Sequence, residues 1–342
     1  MFMRRKRIKK KDFLRMHGEF DHFTPEQFLP DAEELLGAGL TGYACAFTSY
    51  VNRVYELETT SGDRLVAKFY RPGRWTPEAI LDEHDFVFDC AEREVNVVAP
   101  YELTNGSTLG FSGGIPFAVY PKKRGREAEF ETRESLHKIG ALLGFIHSAG
   151  AQYPAEHRMT MTPETFAGGA LKRLFDSGAV HPACERELES VCLDIMDEAE
   201  RVFPAENTFI RIHGDFHRAN VLDRGDEGLL AIDFDDMLNG PPVQDIWLLL
   251  PDTPSESREE LAALLEGYEL FMDFDDSALR AVESLRAMRM MHFLSWCAIQ
   301  SGDLNFHATF PDWGSESFWR RELCDLKRQL ELIRYERRNF RL

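Results

Sequence analysis

Ile212-His213-Gly214-Asp215-Phe216-His217-Arg218-Ala219-Asn220-Val221-Leu222, followed by Leu229-Leu230-Ala231-Ile232-Asp233-Phe234-Asp235-Asp236, is the stretch that decides the fold. An apolar start leads into a polar loop, and a second apolar run then ends in acids. Asp215 and Asn220 are five apart, and Asp233 follows thirteen later. Phosphoryl transfer from a magnesium nucleotide needs a carboxylate near the attacking hydroxyl, then an amide oxygen and a carboxylate on the metal. Asp215, Asn220 and Asp233 supply those three groups in that order. The hydroxyl sheds its proton late, so a carboxylate on a fixed loop suffices as the base. Hard oxygen ligands suit magnesium. The H-x-D-x-x-x-x-N spacing matches a kinase catalytic loop, with Gly214 where arginine usually stands, and Asp233-Phe234-Asp235 occupies the place of D-F-G.

Two other readings compete at this point. His213, Asp215 and His217 alternate along one segment, as ligands of a transition metal would. Polar loop residues also satisfy backbone groups without any chemistry. The residues upstream bear on the choice. Thr24-Pro25-Glu26 has the form of a helix start, with a short helix expected to about Leu36 and Gly37, Gly39 and Gly42 ending it. Phe47 to Leu57 reads as a strand, Ser61-Gly62-Asp63 as a turn, and Arg64 to Tyr70 as the returning strand. Lys68 lies between apolar residues near the end of that hairpin, where a lysine reaches the α- and β-phosphates of a nucleotide. Thr76-Pro77-Glu78 starts another helix. Glu83 within it is the best placed carboxylate to hold the lysine, with Asp82 one position away.

Val95–Pro100, Ser107–Phe111 and Ile115–Pro121 read as further strands. Lys122-Lys123-Arg124-Gly125-Arg126 marks a change of composition, and the lobe boundary is placed there. Residues 1–22 are then a basic flexible arm, 23–122 an N-terminal ATP-binding lobe and 123–342 a helical catalytic lobe. The strand before the boundary would offer backbone donors and acceptors to an adenine. Beyond it the period becomes helical from Thr132, with Leu136, Ile139, Leu143 and Ile146 on one face. His147 reads as a packed or capping residue. Further helices are expected over about 169–177, 183–202, 256–272, 277–301 and 315–336. Asp245, opening a helix after Asn239-Gly240-Pro241-Pro242, can anchor the polar loop from below or charge a helix N-terminus. The fold class is α+β: a bilobal protein-kinase-like fold with a small antiparallel-sheet lobe and a mostly helical one. ATP with magnesium is expected in the cleft between them.

Composition sets the outer bounds. The chain has 342 residues and a net charge of −18, which argues against nucleic-acid binding by its body. Its longest apolar-looking stretch, Met288–Ile299, contains Arg289 and His292, so no membrane span is expected. No secretory leader is expected either, since no apolar segment follows the basic start. The six cysteines form no C-x-x-C pair and are read as reduced thiols of a cytoplasmic protein. Neither G-x-x-x-x-G-K-[ST] nor G-x-G-x-x-G occurs, and Thr48–Arg53 holds no glycine, so a loop there covers phosphates with serine and backbone groups.

H-G-D-x-H-x-x-N followed by I-D-F-D-D resembles the aminoglycoside phosphotransferase and choline kinase superfamily. Ser49–Tyr55, Val66–Thr76, Asn239–Trp247, Leu285–Arg289 and Phe310–Trp313 extend the likeness, over roughly 45 to 335, to its bacterial stress response kinase A group. The resemblance implies a magnesium-dependent serine/threonine protein kinase that uses ATP, acts on an alcohol group and serves a stress response in the cytoplasm. It implies Asp215 as proton acceptor, Asn220 and Asp233 as metal ligands, and Ser49 as an ATP contact. The expected partners are ATP and a protein substrate, itself included, with no nucleic acid and no membrane, and the expected state is a monomer. Two alternatives stay open. One is a small-molecule kinase acting on an amino alcohol, a homoserine-like compound or an aminoglycoside. The other is a pseudokinase that only binds nucleotide.

Overall fold

The computed structural model describes residues 23–49, 51–303 and 306–339. The basic arm at 1–22 lies outside the described residues. The chain divides into two compact units. One comprises Phe23–Met159 and Glu206–Asp275; the other contains Thr160–Ala205 and the chain from Asp276.

The first unit opens with α1 (Pro25–Leu36), capped by a reciprocal pair between Thr24 and Gln27 and ended by Gly37 at φ 62°. Five antiparallel strands follow: β1 (Leu40–Ala46), β2 (Arg53–Thr59), β3 (Arg64–Phe69), β4 (Gly110–Ser112) and β5 (Ile115–Pro121), in the spatial order β1-β2-β3-β5-β4. The α+β class is as expected: an antiparallel five-stranded sheet with a helical remainder. Alternation along β3 sends successive side chains to opposite faces. Phe69 joins Phe28 of α1 at 4.4 Å and Phe117 of β5 at 5.1 Å in an aromatic cluster. Lys68 pairs with Val54 on one side and Ala118 on the other, at the centre of the sheet. On its face, Tyr70 and Ala118 pack against Ile80 of α2 (Pro77–Glu92). Thr76 caps α2 by accepting Ala79 N–H at 3.2 Å.

Four expectations in this unit need correction. The expected strand from Phe47 begins at Arg53, since β1 already occupies Leu40–Ala46 and ends just before Phe47. Gly39 and Gly42 do not merely stop a helix; β1 starts at Leu40 and absorbs Gly42, at φ 84°, in a register shift between Leu40 and Ala44. Val95–Pro100 makes a single bridge, Val97 to Ala231, instead of a strand, since the partner segment is only three residues long. The strand expected over 107–111 shifts to 110–112. Ser107 is held in a turn by its N–H to Asn105 Oδ1 at 3.0 Å and by Leu109 N–H to its hydroxyl at 3.1 Å.

The rest of this unit carries the polar loop. Beyond β5, the stretch expected to mark the lobe boundary contains β6 (Arg126–Glu127). α3 (Arg133–Gly150) follows, then β7 (Ile210–Ile212), β8 (Val221–Asp223), β9 (Leu229–Ala231), β10 (Leu238–Gly240), α4 (Val243–Trp247) and α5 (Arg258–Tyr268). β7 pairs with β10, and β8 lies between β6 and β9. α3 and α5 meet backbone to backbone. A Cβ on Gly140 would lie 1.9 Å from Leu264 O, and one on Gly267 the same distance from His137 O.

The other unit is helical. A wide helical turn at Pro163–Gly168 runs into Gly169–Ser177, and Glu185–Glu200, Val282–Gln300 and Glu316–Asn339 follow the expected ranges closely. Val282–Gln300 packs against the other three long helices of its unit. Among the described residues no helix is long and apolar enough to cross a membrane. All six cysteines are free.

The α3–α5 contact leaves no room for a methyl group. Gly140→Ala is expected to lower the unfolding free energy by about 1–3 kcal/mol or more, read from urea denaturation, because overpacking must push two backbones apart. An unchanged midpoint would contradict the close approach.

Candidate active site

The loop after β7 is fixed by a buried acid. Asp245, fully buried at the start of α4, accepts His213 N–H at 2.7 Å and Gly214 N–H at 2.9 Å. His147 of α3 donates to the same carboxylate through Nε2 at 3.0 Å and accepts the Tyr268 hydroxyl at Nδ1 at 2.9 Å. The packed reading of His147 and the anchoring reading of Asp245 both hold. Gly214 turns the chain at φ 81°, and a Cβ there would lie 2.1 Å from Asp236 O. No side chain fits at this position, and the left-handed turn favours glycine over the arginine that the sequence pattern would otherwise carry.

His213 points inward. Its Nε2 donates to Ile232 O at 2.9 Å, its Nδ1 accepts Asp215 N–H at 3.3 Å, and its ring packs on Phe234 at 4.5 Å. The competing transition-metal arrangement is therefore not assembled, and among the described residues no three His, Cys, Asp or Glu side chains converge on a metal cage. Asp215 pairs with His217 Nε2 at 3.2 Å. Asn220 donates its side-chain amide to Asp215 O at 2.9 Å, which leaves the amide oxygen as its remaining acceptor. β8 and β9 then lead to Asp233, a non-glycine residue at φ 63° with a half-exposed carboxylate. Such a conformation is strained and is kept only where its surroundings enforce it.

The expected lysine and glutamate meet here. Lys68 Nζ lies 2.8 Å from Asp233, 3.5 Å from Asp235 and 3.6 Å from Glu83. Burial works against its charge, but Asp233, Asp235 and Glu83 outweigh it and hold its pKa well above the usual lysine value. Glu83 is buried, whereas Asp82 turns to His157 instead. Burial pushes the Glu83 carboxyl up, to about 7, against the pull of Lys68 and Arg158. Ser49 lies partly exposed on the β1–β2 connection and, among the described residues, is not one of the side chains that meet in this cluster.

Three further residues complete the cluster without having been singled out from the sequence. Asn52 donates to Asp235 Oδ2 at 3.0 Å and accepts Arg71 N–H at 3.1 Å. Arg74 bridges the Asp235 carboxylate and Asp236, the latter at 2.5 Å. Arg158 reaches Glu83 at 3.1 Å. Burial raises the Asp235 carboxyl, but Arg74, Lys68 and Arg158 together hold it well below the usual carboxylate range. Behind Lys68, His84 contacts Thr108 at 2.6 Å, Tyr70 at 2.9 Å and Tyr120 at 3.4 Å.

The donor set fits a hard cation. An amide oxygen, from Asn220, and a carboxylate, from Asp233, are donor types that magnesium takes from a protein when nucleotide phosphates and water complete its shell. The arrangement sets one buried lysine among carboxylates in the same unit as the Asp215 loop, charges suited to an anionic ligand with a divalent cation.

The family model described as the phosphotransferase enzyme family (APH) matches residues 44–282. Stress response kinase A of Escherichia coli K12 is 35% identical over 289 residues, 83% of this chain and 86% of the relative. A Salmonella typhimurium protein named serine/threonine protein kinase RdoA is 32% identical over 303 residues, 87% of this chain and 89% of that one. Among solved structures, amicoumacin kinase hAmiN in complex with AMP-PNP, Ca2+ and Ami aligns with a TM-score of 0.70 at 19% identity, covering 94% of this chain and 95% of that one.

The buried histidine sets an acid limit on stability. Burial, then the charges of Lys68 and Arg158, push the His84 pKa down to about 3 from 6.5. Between these values the unfolded chain takes up a proton that the folded chain refuses. Its contribution is therefore complete above pH 6.5 and is lost, at about 1.4 kcal/mol per pH unit, as pH falls toward 3. Urea denaturation of wild type and His84→Gln across this range should show a shallower acid slope in the variant. Equal slopes would mean that His84 takes up its proton in the folded state.

Proposed function

The chain belongs to the phosphotransferase enzyme family, and from that premise we propose that it is an ATP- and magnesium-dependent serine/threonine protein kinase of the cytoplasm. The observation that carries this reading is the meeting of Lys68 with Asp233 at 2.8 Å and Glu83 at 3.6 Å, in the unit that also holds Asp215 and Asn220. A protein acceptor and a role under stress are supported by the likeness to relatives named for those properties. An added phosphate on the kinase itself belongs to the same reading.

ATP places its α- and β-phosphates at Lys68, which Glu83 steadies. Its adenine meets the backbone of the segment that follows β5, the hinge between an ATP-binding lobe and a catalytic one, and Ser49 caps the phosphates from the β1–β2 connection. Asn220 and Asp233 would hold magnesium, which would neutralise charge on the phosphates when bound. Asp215 accepts the proton of the acceptor serine or threonine as its oxygen bonds to the γ-phosphorus. The bond from that phosphorus to the β–γ bridging oxygen breaks, and ADP leaves with the electron pair.

The test is incubation with γ-labelled ATP, magnesium and cell lysate, for wild type and Asp215→Ala. Wild type should leave label on protein serine or threonine. Asp215→Ala should transfer at background level while still binding nucleotide. Label that appears only when an amino alcohol, a homoserine-like compound or an aminoglycoside is added would move the acceptor to a small molecule.

A further inference from the structure

Residues 155–159 follow α3 as a short strap whose contacts run to two separate parts of the cluster. Asn239 pins the strap at both ends: its Oδ1 accepts Ala155 N–H at 2.8 Å, its Nδ2 donates to Ala155 O at 2.9 Å, and its backbone N–H donates to Met159 O at 3.0 Å. His157 ties it to α2 through Asp82, with the backbone N–H donating at 2.6 Å. Between these ties, the Arg158 side chain is fully buried.

Its guanidinium spends its donors on two elements. Toward α2, Nε donates to Ala79 O at 2.6 Å and Nη2 to Glu83 at 3.1 Å. Toward the segment after Asp233, Nη1 donates to Asp235 O at 2.7 Å and to Met237 O at 3.4 Å. The plane lies 4.0 Å from the centre of the Trp75 ring. Burying a guanidinium is costly unless its donors are met. An ion pair with Glu83 alone would not require the two carbonyls beyond Asp233. A planar fork fixes the separation of its acceptors, which a lysine, a point charge on a flexible stem, does not.

We propose that Arg158 is a positioning residue for nucleotide binding: one guanidinium sets Glu83 against Lys68 and, at the same time, the backbone that follows Asp233. The lysine and the carboxylate proposed for the metal are thus registered to each other through α2 and the strap. This rests on the reading of the cluster as an ATP site. A residue of purely structural importance would lower the fraction of folded protein. A positioning residue lowers the affinity of the protein that does fold.

Calorimetric titration with AMP-PNP and magnesium separates these, because the first changes the stoichiometry and the second the dissociation constant. Arg158→Lys keeps the charge beside Glu83 and loses the fork. It is expected to weaken binding at least tenfold at unchanged stoichiometry. Arg158→Gln, which keeps an amide donor without charge, should weaken it similarly and serves if the lysine variant does not fold. Adding Glu83→Gln to either variant should cost less than Glu83→Gln costs in wild type, since both act through one contact. Wild-type affinity in a folded Arg158 variant, or loss of stoichiometry alone, overturns the inference while leaving the ATP site in place. Failure of wild type itself to bind AMP-PNP overturns both.

Discussion

Lys68 is the charge on which the rest of the site depends. It stands at the centre of an antiparallel sheet, almost out of reach of water, and is tolerable there only because carboxylates surround it. Those carboxylates in turn need Arg74 and Arg158. Three cations thus face four acids: Glu83, Asp233, Asp235 and Asp236. Asp233 is the half-exposed carboxylate that Lys68 contacts, in a strained backbone conformation. Removing one partner of such a buried pair commonly costs about 3–5 kcal/mol, so the cluster holds the sheet, α2 and the loop after β9 to one another.

A second anchor serves the loop that bears Asp215. Asp245 gathers two consecutive backbone N–H groups and an imidazole, and that imidazole depends on Tyr268, the last residue of α5. Tyr268 stands where it does because α3 and α5 touch backbone to backbone at glycines. The position of that loop is thereby traced to glycines on α3 and α5. Gly214 adds a local condition, since only a residue without a side chain passes Asp236 O.

Asp215, Asn220, Asp233 and Lys68 could be read from the sequence because each sits where a spacing or an apolar frame makes a polar residue conspicuous. Glu83 was legible only through its expected lysine, since an acid on a helix is ordinarily solvated. The helices were legible through caps such as Thr24, Thr76 and Thr132 and through period. Arg158 was not: it lies in an irregular stretch, and its carbonyl partner at Asp235 is 77 residues away. Asn52 and Arg74 escaped for the same reason, as loop residues whose partners lie 183 and 161 positions distant. β1 was hidden by glycines that act as a bulge rather than a break. The strand expected at 95–100 failed because β propensity needs a partner edge, and only one residue of β9 was on offer.

The measurement that reaches the centre of the account is the rate of γ-phosphate transfer from labelled ATP by Lys68→Met, with circular dichroism and urea denaturation to establish that the variant folds. If Lys68 faces phosphate charge in the transferring complex, kcat/KM for ATP falls by about a hundredfold or more, the scale of losing one preorganised electrostatic contact. A folded Lys68→Met that transfers phosphate within twofold of wild type would contradict it.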